Sequence, residues 1–222
     1  MKTSLGTLLK RLLLILPLAL ACESQTFFKR LASDYTPYQN IGNRWEFVVA
    51  GEDTFTIEWL VTNRVTLGGV MASEIEEGEN ILYMAREPDG LYEWVSTKRK
   101  FSDEEITLEE RWRKRLELPL ATGNRWVDSY ENEVTHTGLT YRMESKLEGE
   151  VDGIDPVLTQ ADFFENAYAV DIRIETTIDD PISGETTEVT VLREWYAPDV
   201  GLVRRKITGS DEWILRDFSV IK

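Results

Sequence analysis

The sequence predicts a mainly β fold, a curved antiparallel sheet or half-barrel built from two related halves, with little helix outside an N-terminal signal peptide. Three observations lead there. Apolar and polar residues alternate over many short runs, which is the period of a half-buried strand. Turn-forming residues separate those runs at intervals of roughly 8 to 12 positions, the spacing of antiparallel hairpins. The tetrapeptide Gly42-Asn43-Arg44-Trp45 recurs letter for letter at Gly123-Asn124-Arg125-Trp126, 81 positions later.

The first element is a leader. Lys2, Lys10 and Arg11 precede or edge an apolar run from Leu12 to Leu20, which is shorter than the roughly 20 residues a permanent transmembrane helix needs. It reads as a signal peptide covering residues 1–21. The run ends in Leu18-Ala19-Leu20-Ala21-Cys22, which resembles the bacterial lipobox, although Ala19 stands where leucine is commoner. In that pattern the cysteine is acylated and becomes the new N-terminus. Cys22 is the single cysteine of the chain and stands at that position; the alternative is an ordinary secretory signal cleaved near Ala21. Several acyl chains, at about 0.8 kcal/mol per buried methylene, hold a protein firmly on a membrane. Glu23 follows the cysteine, and the absence of aspartate there favours the outer membrane of the cell envelope. Residues 22–36 read as an acylated tether, and residues 37–222 as a single antiparallel β domain.

Within that domain, Thr54-Phe55-Thr56-Ile57-Glu58-Trp59-Leu60 alternates, Val61 to Val70 continues with β-branched residues, and Asn80 to Ala85 is a further apolar run. Later runs are 125–135, 139–147, 168–178, 186–196, 201–207 and 212–221. Between them stand Gly68-Gly69, Glu77-Gly78-Glu79-Asn80, Pro88-Asp89-Gly90, Thr137-Gly138, Pro181-Ile182-Ser183-Gly184 and Gly209-Ser210-Asp211, residues that accept positive φ or preset it. Two stretches are ambiguous. Ser102-Asp103-Glu104-Glu105 has the form of a helix capping box, with Leu108, Trp112 and Leu116 at helical spacing. The same stretch alternates as a strand would, and a strand over 110–118 is the preferred reading. Residues 155–166 fit one helical turn or an irregular crossover as well as a strand.

The repeated tetrapeptide has a physical reading. A proline lies upstream of each copy, Pro37 and Pro119. Proline followed by Gly-Asn makes a turn, and the chain then enters a strand at Arg-Trp. A second marker follows in each half: Pro88-Asp89-Gly90-Leu91 and Pro198-Asp199-Val200-Gly201-Leu202, each near a Glu-Trp pair (Glu93-Trp94, Glu194-Trp195). The halves are 37–118 and 119–222, with an insertion of about 29 residues between the two markers of the second. Trp45 and Trp126 are then packing anchors at the start of each half. The competing reading makes Trp45, Trp126 and Trp195 a stacking platform for a ligand. Arg44 and Arg125 are expected to pair with carboxylates in so acidic a chain.

The segments Tyr35-Thr36-Pro37-Tyr38-Gln39-Asn40-Ile41-Gly42-Asn43-Arg44-Trp45, Phe164-Glu165-Asn166-Ala167-Tyr168-Ala169-Val170 and Trp195-Tyr196-Ala197-Pro198-Asp199-Val200-Gly201-Leu202-Val203 resemble recurrent signatures of a group of bacterial envelope lipoproteins. In that group a Tyr-x-Pro segment and a Gly-x-x-Trp open the mature domain. Asp199 here replaces the usual glycine of the last hairpin, and Ala161-Asp162 stands where Ala-Gly is usual. The resemblance implies a curved sheet, a half-barrel akin to lipoprotein carriers, and brings no catalytic residue with it.

Composition narrows the function. Removing residues 1–21 takes away three positive charges and no negative one, so the net charge moves from -15 to -18. Such a chain is repelled by nucleic acid, whose binding depends on neutralising phosphates. With 42% hydrophobic residues and seven tryptophans it does not have the composition of a disordered acidic segment. No second cysteine exists for an internal disulfide. His136 is the only histidine, at a predicted strand end, and no G-x-S-x-G elbow is present, so nucleophilic catalysis finds no partners. A zinc site wants several His or Cys ligands. Acidic groups at Glu74, Glu76, Glu77 and Glu79, and at Asp152 and Asp155 around Gly153, follow no calcium-loop spacing. The sequence therefore predicts a protein without catalytic residues, cofactor or metal. Its partners are the membrane, through acylated Cys22, and either an apolar ligand or an envelope protein. The alternative is a glycan hydrolase, which would need two carboxylates facing each other in a cleft about 5 to 10 Å apart.

Overall fold

The computed structural model describes residues 34–101 and 104–221. The leader, Cys22 and most of the tether lie outside the described residues. The described part is all strand and turn: twelve strands form one antiparallel sheet that is nearly closed into a barrel. In chain order they are β1 (Arg44–Val49), β2 (Glu52–Leu67), β3 (Val70–Glu77), β4 (Asn80–Glu87), β5 (Gly90–Phe101) and β6 (Glu104–Glu117), then β7 (Arg125–His136), β8 (Leu139–Leu158), β9 (Phe163–Asp180), β10 (Gly184–Ala197), β11 (Gly201–Ile207) and β12 (Glu212–Ser219). Each strand pairs with its sequence neighbour except at one point. There β1 pairs with β12, and β6 and β7 are left as the two edges.

Those edges meet through side chains instead of a ladder. The Asn132 amide donates to the Leu108 carbonyl (2.8 Å), the Lys114 N–H donates to Asp128 (3.1 Å), and Arg111 pairs with Asp128 (2.6 Å). Unpaired edges are the vulnerable part of a sheet, and this seam satisfies part of both edges with local polar groups.

The repeated tetrapeptide makes the same corner twice. Gly42 and Gly123 take φ of 92° and 85°, a region that costs glycine little. Gly42 N–H donates to Val61 O (2.8 Å), and Val61 N–H donates back to Asn43 O (2.9 Å). In the second copy Gly123 donates to Val151 (2.8 Å) and Val151 to Asn124 (2.9 Å). Each asparagine side chain also reaches back to the upstream proline carbonyl: Asn43 to Pro37 at 2.6 Å, Asn124 to Pro119 at 3.1 Å. The bulges match too, lying just past Val61 in β2 and just past Val151 in β8. The Glu-Trp pairs do not correspond, since Glu93-Trp94 follows its Pro-Asp turn on β5 and Glu194-Trp195 precedes its turn on β10. The extra residues of the second half lie in longer strands, β9 having 18 residues where β3 has 8.

Alternation places one face of nearly every strand inside. The main core gathers Trp45, Phe47, Trp59, Ile75, Leu91, Leu116, Leu147, Leu202 and Leu215 around the lumen. A smaller cluster, Ile106, Leu108, Tyr141 and Met143, fills the far end between the long hairpins. Segment 34–43 closes the near end. Tyr35 packs edge-on against Tyr168, and Tyr38 against Trp45 and Trp59. Tyr35 and Thr36, which the sequence assigns to the tether, are therefore part of the folded core, with 5% and 0% of their surface exposed.

Both ambiguous stretches are strand. Residues 104–117 pair along β5, because a helix there would leave that strand's inner edge without partners. Residues 155–166 form the tip of the β8–β9 hairpin, turning at 159–162. Glu74, Glu76 and Glu77 lie along β3 and not in a turn, with Glu79 alone in the turn that follows. Asp152 and Asp155 belong to β8, where both approach Arg193 (2.6 and 3.5 Å).

Candidate functional site

The three tryptophans singled out in the sequence do not share a surface. Trp45 faces the lumen, fully buried, and its indole N–H donates to the Val200 carbonyl (2.6 Å). Trp126 also faces inward, opposite Gly149. A Cβ on Gly149 would stand 2.1 Å from the Trp126 ring, so glycine there is what lets the indole lie flat across β8. Trp195 alternates with Glu194 and Tyr196 and takes the opposite face. Arg193 and Arg204 lie against its ring (5.5 and 4.8 Å), and its N–H donates to Asp155 (3.1 Å). Arg44 meets Glu46, Glu58 and Asp217, and Arg125 meets Glu150 (2.7 Å). His136 ends β7 beside Glu104 (3.1 Å).

The lumen contains a charge cluster that sequence reasoning did not find. Glu194 on β10 is fully buried. One of its carboxylate oxygens accepts from Arg115 of β6 (2.7 Å) and Arg205 of β11 (2.6 Å), and the other from the Tyr196 hydroxyl (2.7 Å). Arg115 reaches across the barrel from a strand that does not neighbour β10. It can do so because the β5–β6 register slips at this position, leaving Arg115 unpaired between Lys114 and Leu116. A bulge of this kind re-aims a side chain. Glu93 of β5 approaches Arg115 at 3.8 Å and is bonded to Arg113 (2.6 Å). Arg205 in turn lies over the Trp59 and Trp213 rings (5.0 and 4.8 Å), a cation–π arrangement that suits a desolvated guanidinium.

Burial alone would raise the Glu194 carboxyl. Arg115 and Arg205, with the Tyr196 hydroxyl, outweigh it and hold it at about 2. Burial pushes Tyr38 up, and Glu194 adds to that; the same two influences raise Tyr196. The cluster is thus an ionised carboxylate held by two guanidiniums, with neutral phenols around it. At neutral pH Glu194 has no proton to give, so it cannot serve as a general acid.

On the outer face, two concavities run along β7, β8 and β9. The larger, about 460 Å³, is bordered by Arg125, Val127, Glu148, Glu150, Arg173 and Val191, and its floor is the sheet backbone at Trp126, Gly149 and Ile172. The smaller, about 260 Å³, continues past Arg173 to Tyr130, Lys146 and Glu175. Val127 projects from the rim with 60% of its surface exposed. The Trp126 indole N–H has no hydrogen-bond partner, unlike those of Trp45 and Trp195. Among the described residues no group of three or more His, Cys, Asp or Glu side chains is placed to hold a metal ion.

No family model matches the chain. No curated protein matches it either. Two solved structures are similar in fold. One is a proposed lipoprotein from Parabacteroides distasonis ATCC 8503, with a TM-score of 0.48 and 15% identity over 84% of this chain and 99% of that one. The other is a proposed exported protein with a YmcC-like fold from Bacteroides fragilis NCTC 9343, with a TM-score of 0.43 and 11% identity over 81% and 96%.

Proposed function

We propose that the chain is a lipid-anchored protein of the bacterial envelope, held at the outer membrane through Cys22, which works by binding a partner protein and not by turnover. The lipobox-like end of the leader supports the anchor. The observation that carries the binding mode is the filled lumen. Trp45, Phe47, Val61, Ile75, Leu116 and Leu147 are each at 0% exposure, so no water-sized void lies against them. The Glu194–Arg115 pair spans the space that a carried lipid would occupy. Recognition is thereby left to the outer surface, where the groove over β7–β9 offers charges of both signs around an apolar rim. Of the three tryptophans, Trp126 packs on the inner side of the strands that carry that groove, and Trp45 and Trp195 support the walls of the barrel.

Two measurements test this reading. A photo-crosslinking side chain in place of Val127 should join the protein to a discrete envelope partner in living cells. Purified protein titrated with an environment-sensitive apolar dye should show no saturable uptake. Stoichiometric, saturable uptake of the dye, displaced by phospholipid, would replace the partner-protein reading with that of a carrier.

A further inference from the structure

The near end of the barrel, where the chain enters at Asp34, carries exposed apolar side chains on a rigid support. Leu158 and Phe163 are direct cross-strand partners flanking the β8–β9 turn, with 74% and 52% of their surfaces exposed. Ile41 (53%) and Ile221 (52%) stand at the same end. Asn40 donates to the Ile221 carbonyl (2.7 Å), and beneath the exposed side chains Phe164 meets Phe218 (6.3 Å between ring centres), which holds β9 against β12 at this end. At the opposite end Phe55, Leu139, Ile81 and Ile182 are exposed as well, on separate elements.

The backbone of the turn between Leu158 and Phe163 is bonded internally, while the exposed Asp162 carboxylate limits it to the polar surface of a bilayer. Thr159 N–H donates to the Asp162 carbonyl (3.0 Å), and the Thr159 hydroxyl oxygen accepts from the amides of Ala161 (3.2 Å) and Asp162 (3.1 Å). Gln160 N–H donates to the Leu215 carbonyl (3.1 Å), and Phe163 N–H to the Asp162 carboxylate (2.8 Å). Every amide from Thr159 to Phe163 is therefore already bonded within the protein. An unbonded amide is expensive to move into a lipid environment, and this turn presents none.

We propose that the β8–β9 turn, through Leu158 and Phe163 with Ile41 and Ile221 beside it, docks onto the surface of the bilayer that holds the acyl anchor. This rests on the anchor reading above. Residues 23–33 separate Cys22 from Asp34, and a fully extended chain of that length spans at most about 40 Å. The anchor is thus joined to the end of the barrel that receives Asp34, which favours that end as the one turned to the membrane. Asp34 is fixed to that end, since its N–H donates to Asp199 (3.0 Å) and its carboxylate pairs with Arg86 (2.7 Å). The mature chain, at -18, is repelled by an anionic surface over distance, so the apolar contact is the short-range attraction that fixes orientation once the acyl chains are in place.

The test uses the full acylated chain in phosphatidylcholine vesicles. Cys22 has its sulfur in the thioether, so Leu158→Cys supplies the only free thiol for a polarity-sensitive fluorophore. The expected result is a blue-shifted emission at position 158, quenched by lipid carrying a nitroxide in its acyl chain. The same label at Ile182→Cys, at the far end, should keep its aqueous emission. Protein that floats with the vesicles while the label at 158 behaves as in water, and a Phe163→Cys label does likewise, overturns the docking and leaves the anchor standing. Protein that fails to float, with Cys22 itself taking up label, overturns the anchor and the docking with it.

Discussion

Replacing Glu194 with glutamine tests how the barrel interior is held. The substitution keeps the shape and removes the charge, leaving Arg115 and Arg205 desolvated with no anion between them. Both guanidiniums are largely buried, Arg115 with 8% and Arg205 with 12% of its side chain exposed. Breaking a buried pair by deleting one partner costs about 3–5 kcal/mol, against a total stability of about 5–15 kcal/mol for a domain. At about 2–4 °C per kcal/mol for a domain of this size, the melting temperature should drop by roughly 10 °C. Urea denaturation followed by tryptophan emission measures the loss of free energy, since Trp45 and Trp59 are buried in the native state. The acid limb gives a second readout. Glu194 has its carboxyl lowered from 4.5 to about 2, so between those values the unfolded chain binds a proton that the native chain does not. The stabilisation is complete above pH 4.5 and is lost as pH falls towards 2, about 3 kcal/mol in all. Glu194→Gln should lack that part of the acid dependence. A triple variant, Glu194→Leu with Arg115→Met and Arg205→Leu, should recover most of the loss, because apolar side chains can replace a buried ionic group at little cost. A loss below about 1 kcal/mol for Glu194→Gln would refute the claim that the carboxylate holds the two arginines in the lumen.

Gly149→Ala should destabilise the fold by about 1–3 kcal/mol through overpacking against Trp126, read as a lower urea midpoint with an unchanged slope; Gly149→Ala combined with Trp126→Leu should lose less than the two single changes added together. The two corner asparagines should differ despite their identical contexts. Asn43 is fully buried and also accepts from Ile221 N–H (2.7 Å), so Asn43→Ala should cost about 2 kcal/mol or more, whereas Asn124→Ala, at a part-exposed corner, should cost under about 1 kcal/mol. Equal losses at the two sites would contradict the burial difference. Cys22→Ser should move the protein from the membrane fraction to the soluble periplasmic fraction, and unchanged membrane association would remove the basis for the anchor.

Much of the secondary structure was legible because its causes are local. Alternation at 168–178 and turn residues such as Pro88-Asp89-Gly90 act within a few positions of themselves. The GNRW corner was legible for the same reason: a positive φ at glycine and an asparagine side chain bonded five or six residues back need no distant partner. Residues 104–117 were ambiguous because helical and alternating periods coexist there, and what decided between them was the pairing edge offered by β5. The charge cluster left no signal in the sequence. Arg115 and Glu194 are 79 positions apart, and Glu194 resembles any other of the 40 acidic residues.

What the sequence by itself determined is the strand-and-turn alphabet, the paired corners at Gly42 and Gly123, and the acidic character that argues against nucleic acid. Trp45 and Trp126 are buried, as the packing-anchor reading expects; only the tertiary structure decided that Trp195 lies on the other side of the sheet, covered by Arg193 and Arg204, that a register slip turns Arg115 across the lumen, and that Leu158 and Phe163 share the end where the chain enters. These depend on register and curvature accumulated over twelve strands, so a slip of one residue reverses the face of every side chain beyond it.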